Sequence, residues 1–434
     1  MCPSYKVTLE EQHSTRGRAR LLFEMIEGEV LEDRWRSDAV HEALDLCLSC
    51  KGCKSDCPVN VDMATYKAEF LDKYYRGRLR PRPAYSMGMI DVWAQLASHV
   101  PHVANFFTQT PGLAAASKAV AGLAQQRQLP PFAPQTFRDW FRRRRPGRVD
   151  GREVLLWPDT FNNYFPPETA AAAVETLEDA GYRVRIPRPV LCCGRPLYDF
   201  GFLDRAKRLL SNVVTALAPD IRRGLPLVGL EPSCVAVFRD ELQELFPNHN
   251  DAQRLTKQTR TLGEFLADVD YKPPKLRGRA LVHGHCHQKP VVGMSGETKT
   301  LDRTGLDYKV LDSGCCGMAG SFGFEAEKYG VSQDVGELAL LPAVRKAPLD
   351  AAIVADGFSC RTQIEQATGR RAVHLAELLR LASRGSGDGF LPFYPEDRVG
   401  RVMPGGPTRV EKGLLALGSA ALGVAAAGLL RRMR

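Results

Sequence analysis

No charged-then-apolar leader opens the sequence: Met1-Cys2-Pro3-Ser4-Tyr5 lacks one, so export is not expected and a cytoplasmic location is. Basic charge is not concentrated either. The net charge of +9 is modest for 434 residues, and apart from Arg142-Arg143-Arg144-Arg145 the basic residues are spread out. That excludes a nucleic-acid partner as an expectation, while leaving acidic partners or anionic lipid surfaces open. The arginine run beside Pro146 reads as a solvated linker. A convincing dinucleotide-binding loop is also missing. What remains is ordinary for a globular protein of two or three domains, with 44% hydrophobic and 25% charged residues.

The twelve cysteines are the informative feature. In a reducing compartment, clustered cysteines are metal ligands or redox thiols more often than disulfides. Cys47-Leu-Ser-Cys50-Lys-Gly-Cys53-Lys-Ser-Asp-Cys57-Pro58 fits C-x2-C-x2-C-x3-C-P. Its short spacings bring three thiolates from one loop onto one cuboidal 4Fe–4S cluster, with Gly52 expected to permit the tight wrap. The fourth cysteine of such a run serves the other cluster of a pair. Cys47, Cys50 and Cys53 therefore need a fourth ligand, and Cys2-Pro3, the tail of a second such run, supplies it. Cys57 is left for a ferredoxin-type cluster whose remaining ligands are missing from the sequence. Structural zinc is the competing use of the same thiols.

Around this run, helices are expected from Ser14 to Met25 and from Ala64 to Tyr75, and Arg80-Pro81-Arg82-Pro83 breaks the pattern. Residues 84–125 read as mixed helical material, and Leu129 to Pro146 as a proline-bounded connector. From about residue 151 strands alternate with helices: Val154–Trp157 as a strand, Glu168–Ala180 as a helix, Tyr182–Ile186 as a second strand. The segment EDAGYRVRIPRPVLCCGRPLYDFGF from Glu178 resembles DRTGLDYKVLDSGCCGMAGSFGF from Asp302. Cys315 follows Cys192 by 123 residues and Cys360 follows Cys234 by 126, the signature of an internal duplication.

In the second copy, Cys286, Cys315, Cys316 and Cys360 form a candidate second-cluster or metal set; a thiol-redox or structural role stays open. His283, His285 and His287 alternate beside Cys286, and are read as lying along a strand where all three share a face as ligand or proton-relay candidates. The first copy offers Cys192, Cys193 and Cys234, with Asp159 near the place of Cys286 and a poor substitute for a soft thiolate. A decayed structural copy is the other reading there.

Together, CPSYKVTLEEQHSTRGRARLLFE, ALDLCLSCKGCKSDCPVNVDMATYKAEF, CCGRPLYDFGF, GLEPSC, HGHCHQK, CCGMAGSFGF and DGFSC resemble the C-terminal iron–sulfur half of the FAD-binding and iron–sulfur-binding oxidoreductases. That group is related to the glycolate oxidase iron–sulfur subunit and to D-2-hydroxyacid (D-lactate type) dehydrogenases. Its paired-cysteine (CCG) domains are similar to those of heterodisulfide reductase. The resemblance implies an α+β protein: a helical ferredoxin-type domain over 1–79, a helical segment and connector over 80–150, and two duplicated α/β CCG domains over 151–270 and 279–383. A tail over 384–434 follows.

The implied function is an electron-transfer module of a flavin-linked dehydrogenase of D-lactate, glycolate or D-2-hydroxyglutarate type. It would relay electrons from FAD, in a missing domain or a partner, to a quinone or other acceptor. The alternatives are a disulfide or quinone reductase using the paired cysteines, and a zinc-stabilised docking scaffold. Two departures matter. Each CCG repeat has one late cysteine where heterodisulfide reductase has C-x-x-C, with Glu231 and Gly357 at the missing positions. The start within a motif also suggests a truncated reading frame or a separate flavoprotein partner. Gly413 to Leu430 is eighteen uncharged residues, flanked by Lys412 and Arg431. As a helix of about 27 Å it nearly matches a hydrocarbon core of roughly 30 Å, so it is a candidate anchor at the cytoplasmic face of a membrane.

Overall fold

The computed structural model describes residues 2–145, 147, 150–384, 391, 394–398, 407–408 and 410–415. Ser14 caps the Thr15–Glu27 helix by accepting from the Gly17 N–H at 2.9 Å, and Asp62 caps the Met63–Tyr74 helix. These helices, with Asp38–Asp45, close a small core of Leu22, Met25, Val40, Leu44, Met63 and Phe70 against Cys47. The sequence places both helices to within two residues of these bounds.

Four helices follow at Arg82–Ser86, Ile90–Ala97, Pro101–Gln109 and Leu113–Ala121. The connector expected from Leu129 to Pro146 carries a further helix, Phe137–Arg143. Thr136 caps it, Phe137 is fully buried, and Trp140 and Phe141 repeat the apolar face at helical spacing. The arginine run is not all solvated: Arg144 pairs with Glu178 at 2.7 Å and lies over the Phe141 ring.

Two parallel sheets form the rest. In the first, β1 (Arg152–Trp157) lies between β2 (Tyr182–Arg185) and β3 (Leu227–Gly229), with β4 (Thr259–Thr261) outside β3. In the second, β5 (Arg279–Val282) lies between β6 (Asp307–Val310) and β7 (Ala351–Val354), and Val373 bridges in parallel to Val354. The sheets share one core containing Val154, Leu156, Val228, Val282 and Val354. Helix packing is reciprocal: Pro167–Asp179 lies on Leu375–Arg384, and Leu262–Asp268 lies on Ser295–Thr304. Every paired or late cysteine follows the carboxyl end of a parallel strand, the end where α/β sheets open their ligand crevices.

Among the described residues no helix is long and apolar enough to cross a membrane. Apart from 413–415, the expected tail helix lies outside the described residues.

Candidate metal centres

The ferredoxin-type loop turns through Ser49 (φ 50°) and Lys51 (φ 58°), two non-glycine residues in the left-handed region. Gly52 was expected to supply that freedom, but its φ is not positive and a Cβ there would meet only Cys50 Sγ, at 3.7 Å. The wrap is therefore imposed from outside the loop. Lys51 is buried at 1% exposure, with Nζ 2.8 Å from Asp62, 2.6 Å from Asp240 and 3.0 Å from Glu241. Arg195 donates to the Ser49 carbonyl at 3.1 Å while paired with Glu241 and Asp199, and His287 Nε2 meets the same carbonyl at 2.8 Å. Neither Arg195 nor Lys51 was singled out in the sequence. The available signal for Arg195 was a charged residue directly after Cys-Cys-Gly, where the second copy has Met318.

Cys50 and Cys53 both lie within reach of the charges of Cys2 and Cys47. Burial raises the Cys50 thiol well above its ordinary range, with Cys286, Cys2 and Cys47 adding to the rise. Burial likewise pushes Cys53 up to about 11, reinforced by Cys47 and Cys2. Cys2 goes the other way: burial opposes ionisation, but the buried Arg18 guanidinium, 3.0 Å from Cys2 Sγ, and hydrogen bonds outweigh it. Four thiols converging in a shell that holds a guanidinium suit an anionic iron–sulfur cluster. Cys57 stands apart. Its thiol is lowered by the backbone N–H groups of Val61, Val59 and Asn60, and its tie to the cluster loop is through the backbone, Cys57 N–H donating to the Cys53 carbonyl at 3.0 Å.

In the second sheet's crevice Cys286, Cys315, Cys316 and Cys360 pack into one cluster, and each thiol shifts under the influence of a neighbouring one. Contact with Cys315 brings Cys286 down to about 7 against the effect of burial. In the first crevice only three thiols meet. Cys193 Sγ is 3.0 Å from Cys234 Sγ, and Cys192 touches Cys193 and accepts from Gly194 N–H at 3.4 Å. Asp159 is no fourth ligand here, since its carboxylate caps the Thr160–Tyr164 helix through Phe161 N–H at 3.0 Å and Asn162 N–H at 2.9 Å. Burial, with Glu231 next, raises it to about 6.

The histidines do not share a strand face. β5 ends at Val282, and all three lie in the loop and turn that follow. Alternation by itself cannot extend a strand once its neighbours' ladders stop. His283 Nδ1 meets Ser313 Oγ at 2.8 Å, His287 reaches Ser49, and His285 Nε2 lies 3.9 Å from Glu231 Oε1. The two positions without a cysteine come together at this point. Glu231 Oε2 accepts from Phe358 N–H at 2.8 Å, and a Cβ on Gly357 would stand 2.2 Å from His285 Cδ2. An imidazole and a carboxylate thus fill the space where the C-x-x-C pattern would place further thiols.

A cavity of about 800 Å³ opens over both thiol sets, roofed by the helices of residues 90–121.

Comparison with known proteins followed the same division. The 4Fe-4S dicluster domain family matches residues 1–61, and the cysteine-rich domain family matches residues 160–239. The chain is 28% identical to the D-2-hydroxyglutarate dehydrogenase of Pseudomonas putida over 425 residues, 87% of this chain and 41% of that protein. It is 31% identical to one of the subunits of the anaerobic glycerol-3-phosphate dehydrogenase of Escherichia coli K12 over 271 residues, 61% of this chain and 68% of that relative. Lactate utilization protein A of Bacillus velezensis is 30% identical over 181 residues, 39% of this chain and 74% of that protein. The chain spans about two fifths of the length of the D-2-hydroxyglutarate dehydrogenases it matches.

Proposed function

Because the chain belongs to the iron–sulfur oxidoreductase family, we propose that it is the electron-transfer module of a flavin-linked 2-hydroxyacid dehydrogenase, passing electrons from FAD in a partner domain or subunit to a quinone or other acceptor. The observation that carries this reading is that Cys50, from the helical domain, packs against the same buried cluster as Cys286, Cys315, Cys316 and Cys360, so that the two thiol sets adjoin. Cys2, Cys47, Cys50 and Cys53 would hold one 4Fe–4S cluster, and Cys286, Cys315, Cys316 and Cys360 a second centre. An iron–sulfur cluster, when bound, takes up and gives out single electrons.

This chain's own residues fix the distance between the two sets. Lys51 and Arg195 lock the loop of Cys50 to the first sheet's helices, and His287 ties the same loop to the turn carrying Cys286. Buried ionic and hydrogen-bonded links of this kind resist the small displacements that would separate the sets. The thiols are shielded by an apolar wall that includes Leu48, Met318 and Phe324.

The matching strand orders, the equivalent placing of cysteines at strand ends and the reciprocal helix packing support two copies of one CCG unit, over 151–270 and 279–383. The relatives named as part of a glycerol-3-phosphate dehydrogenase and as a lactate utilization protein support a dehydrogenase as the partner.

Anaerobic purification with iron, sulfide and zinc analysis and low-temperature EPR tests the proposal. About eight irons per chain supports both centres, and about four supports the N-terminal one alone. Zinc without sulfide overturns the relay and leaves the docking-scaffold reading.

A further inference from the structure

The cavity over the two thiol sets is larger than those sets require. Its floor touches Cys192, Cys193, Cys234, Cys286 and Cys316, but its upper walls, from Trp93, Phe107, Leu113 and Val120, hold no metal donor. At about 800 Å³ it falls in the range of pockets that enclose a small organic molecule.

Its chemistry selects the occupant. The charged residues lining it are Arg82, Arg195, Asp199 and Glu231. Arg195 is held by Glu241 and Asp199, and Arg82 donates to the Ala119 carbonyl at 2.9 Å. The buried guanidinium of Arg195 is thus already engaged by two carboxylates and Arg82 is exposed, so among the described residues the cavity offers a phosphate or carboxylate no free buried cation, which disfavours nucleotides and charged thiol or disulfide cofactors beside the thiols. Deep in the cavity, Phe161 and Phe358 stack at 4.9 Å and 16°, presenting aromatic surface to a flat ring. Beside them lies His285, 5% exposed, whose Nε2 has no hydrogen-bond partner among the described residues. At the other end, Trp93, Phe107 and Val120 are 49%, 44% and 75% exposed, so the apolar wall runs out to solvent.

A flat ring with a polar edge, placed inward, and an uncharged apolar tail, placed outward, match this gradient. We propose that the cavity binds a lipophilic quinone, its ring beside Phe161, Phe358 and His285 and its tail beneath the helices of residues 90–121. The proposal rests on the relay reading, and narrows its acceptor from an open class to a lipid-soluble one with a defined seat.

Equilibrium dialysis of the anaerobically purified full chain against a decyl-substituted benzoquinone tests it, alongside Ala116→Phe and Ser117→Phe, which fill the tail end of the cavity from the Leu113–Ala121 helix, an element that carries no cysteine. Saturable binding that falls tenfold or more in both variants, with iron and sulfide content unchanged, is expected. No binding, binding indifferent to both variants, or equal displacement by decanoate would overturn the seat. Iron and sulfide in the same sample separate the two claims: their absence sinks the relay, whereas the variants' effect on quinone binding decides the cavity.

Discussion

Glu231 Oε2 accepts a hydrogen bond from the backbone N–H of Phe358 at 2.8 Å, joining the first sheet's crevice to the first turn of a helix that belongs to the second. The carboxylate also caps its own helix through Ser233 N–H and accepts from Ser233 Oγ at 2.9 Å. One buried side chain thus serves two helix starts. Glu231→Ala leaves buried donors unmet, and a loss of about 1–3 kcal/mol in unfolding free energy is expected. Glu231→Gln, which keeps an acceptor oxygen for Phe358, should lose less. Chemical denaturation of both variants checks the order, and equal losses would show that the Phe358 bond is not the stabilising one.

Gly357 has the reverse relationship with His285, since only the missing side chain lets the imidazole in. Gly357→Ala is expected to cost about 1–3 kcal/mol through overpacking. In a His285→Ala background the same change should be close to neutral. A double-mutant cycle by denaturant unfolding reads the coupling directly. Additive effects would show that the ring moves aside freely.

Lys51 sits among Asp62, Asp240 and Glu241 with almost no exposure. Lys51→Met removes the buried cation that these carboxylates share, leaving Asp62 and Asp240 to Lys54 and Glu241 to Arg195, and should cost about 3 kcal/mol. The pH dependence follows from Asp62. Burial works to raise its pKa, but Lys51 and its hydrogen bonds win and hold it below the ordinary value. A carboxyl lowered in the folded state contributes its stabilisation above its unfolded pKa and loses it as pH falls through the folded one. The native protein should therefore resist acid to below the ordinary carboxylate range of about 4, and Lys51→Met should move the acid-unfolding midpoint upward. Circular dichroism during acid titration measures the shift.

Much of this architecture was legible from local pattern. Val154–Trp157 is an apolar run followed by a capping Asp159, and the helix of residues 167–179 ends just before Gly181, so strand and helix both carried their punctuation. The cysteine groupings were legible because ligand sets must be short in sequence or repeated. The clamp around Ser49 and Lys51 was not, because Lys51 and Asp240 are 189 residues apart and meet only after the sheets form. His283, His285 and His287 misled because alternation imitates a strand, whereas β5 had already ended at Val282. The cavity left no signature either: its roof is three short helices whose apolar residues face a space rather than a core.

Cys2 and Cys57 separate two readings of the ferredoxin-type loop. If the run were self-contained, Cys57 would be the fourth ligand and Cys2 dispensable. We read Cys2 as that ligand: its Sγ accepts from the buried Arg18 guanidinium at 3.0 Å and its charge adds to the rise of Cys50 and Cys53. The Cys57 thiol instead faces the backbone N–H groups of Val61, Val59 and Asn60. Cys47→Ser, Cys50→Ser and Cys53→Ser should each remove about four irons per chain, because three remaining thiolates retain a cube poorly. Cys2→Ser should do the same or yield a labile centre, whereas Cys57→Ser should leave iron content and the EPR signal of the reduced protein unchanged. The reverse order of Cys2 and Cys57 would return the fourth ligand to the loop. It would also require the Cys57 turn to move, since a thiol bound to that cluster must leave the amide groups that now surround it.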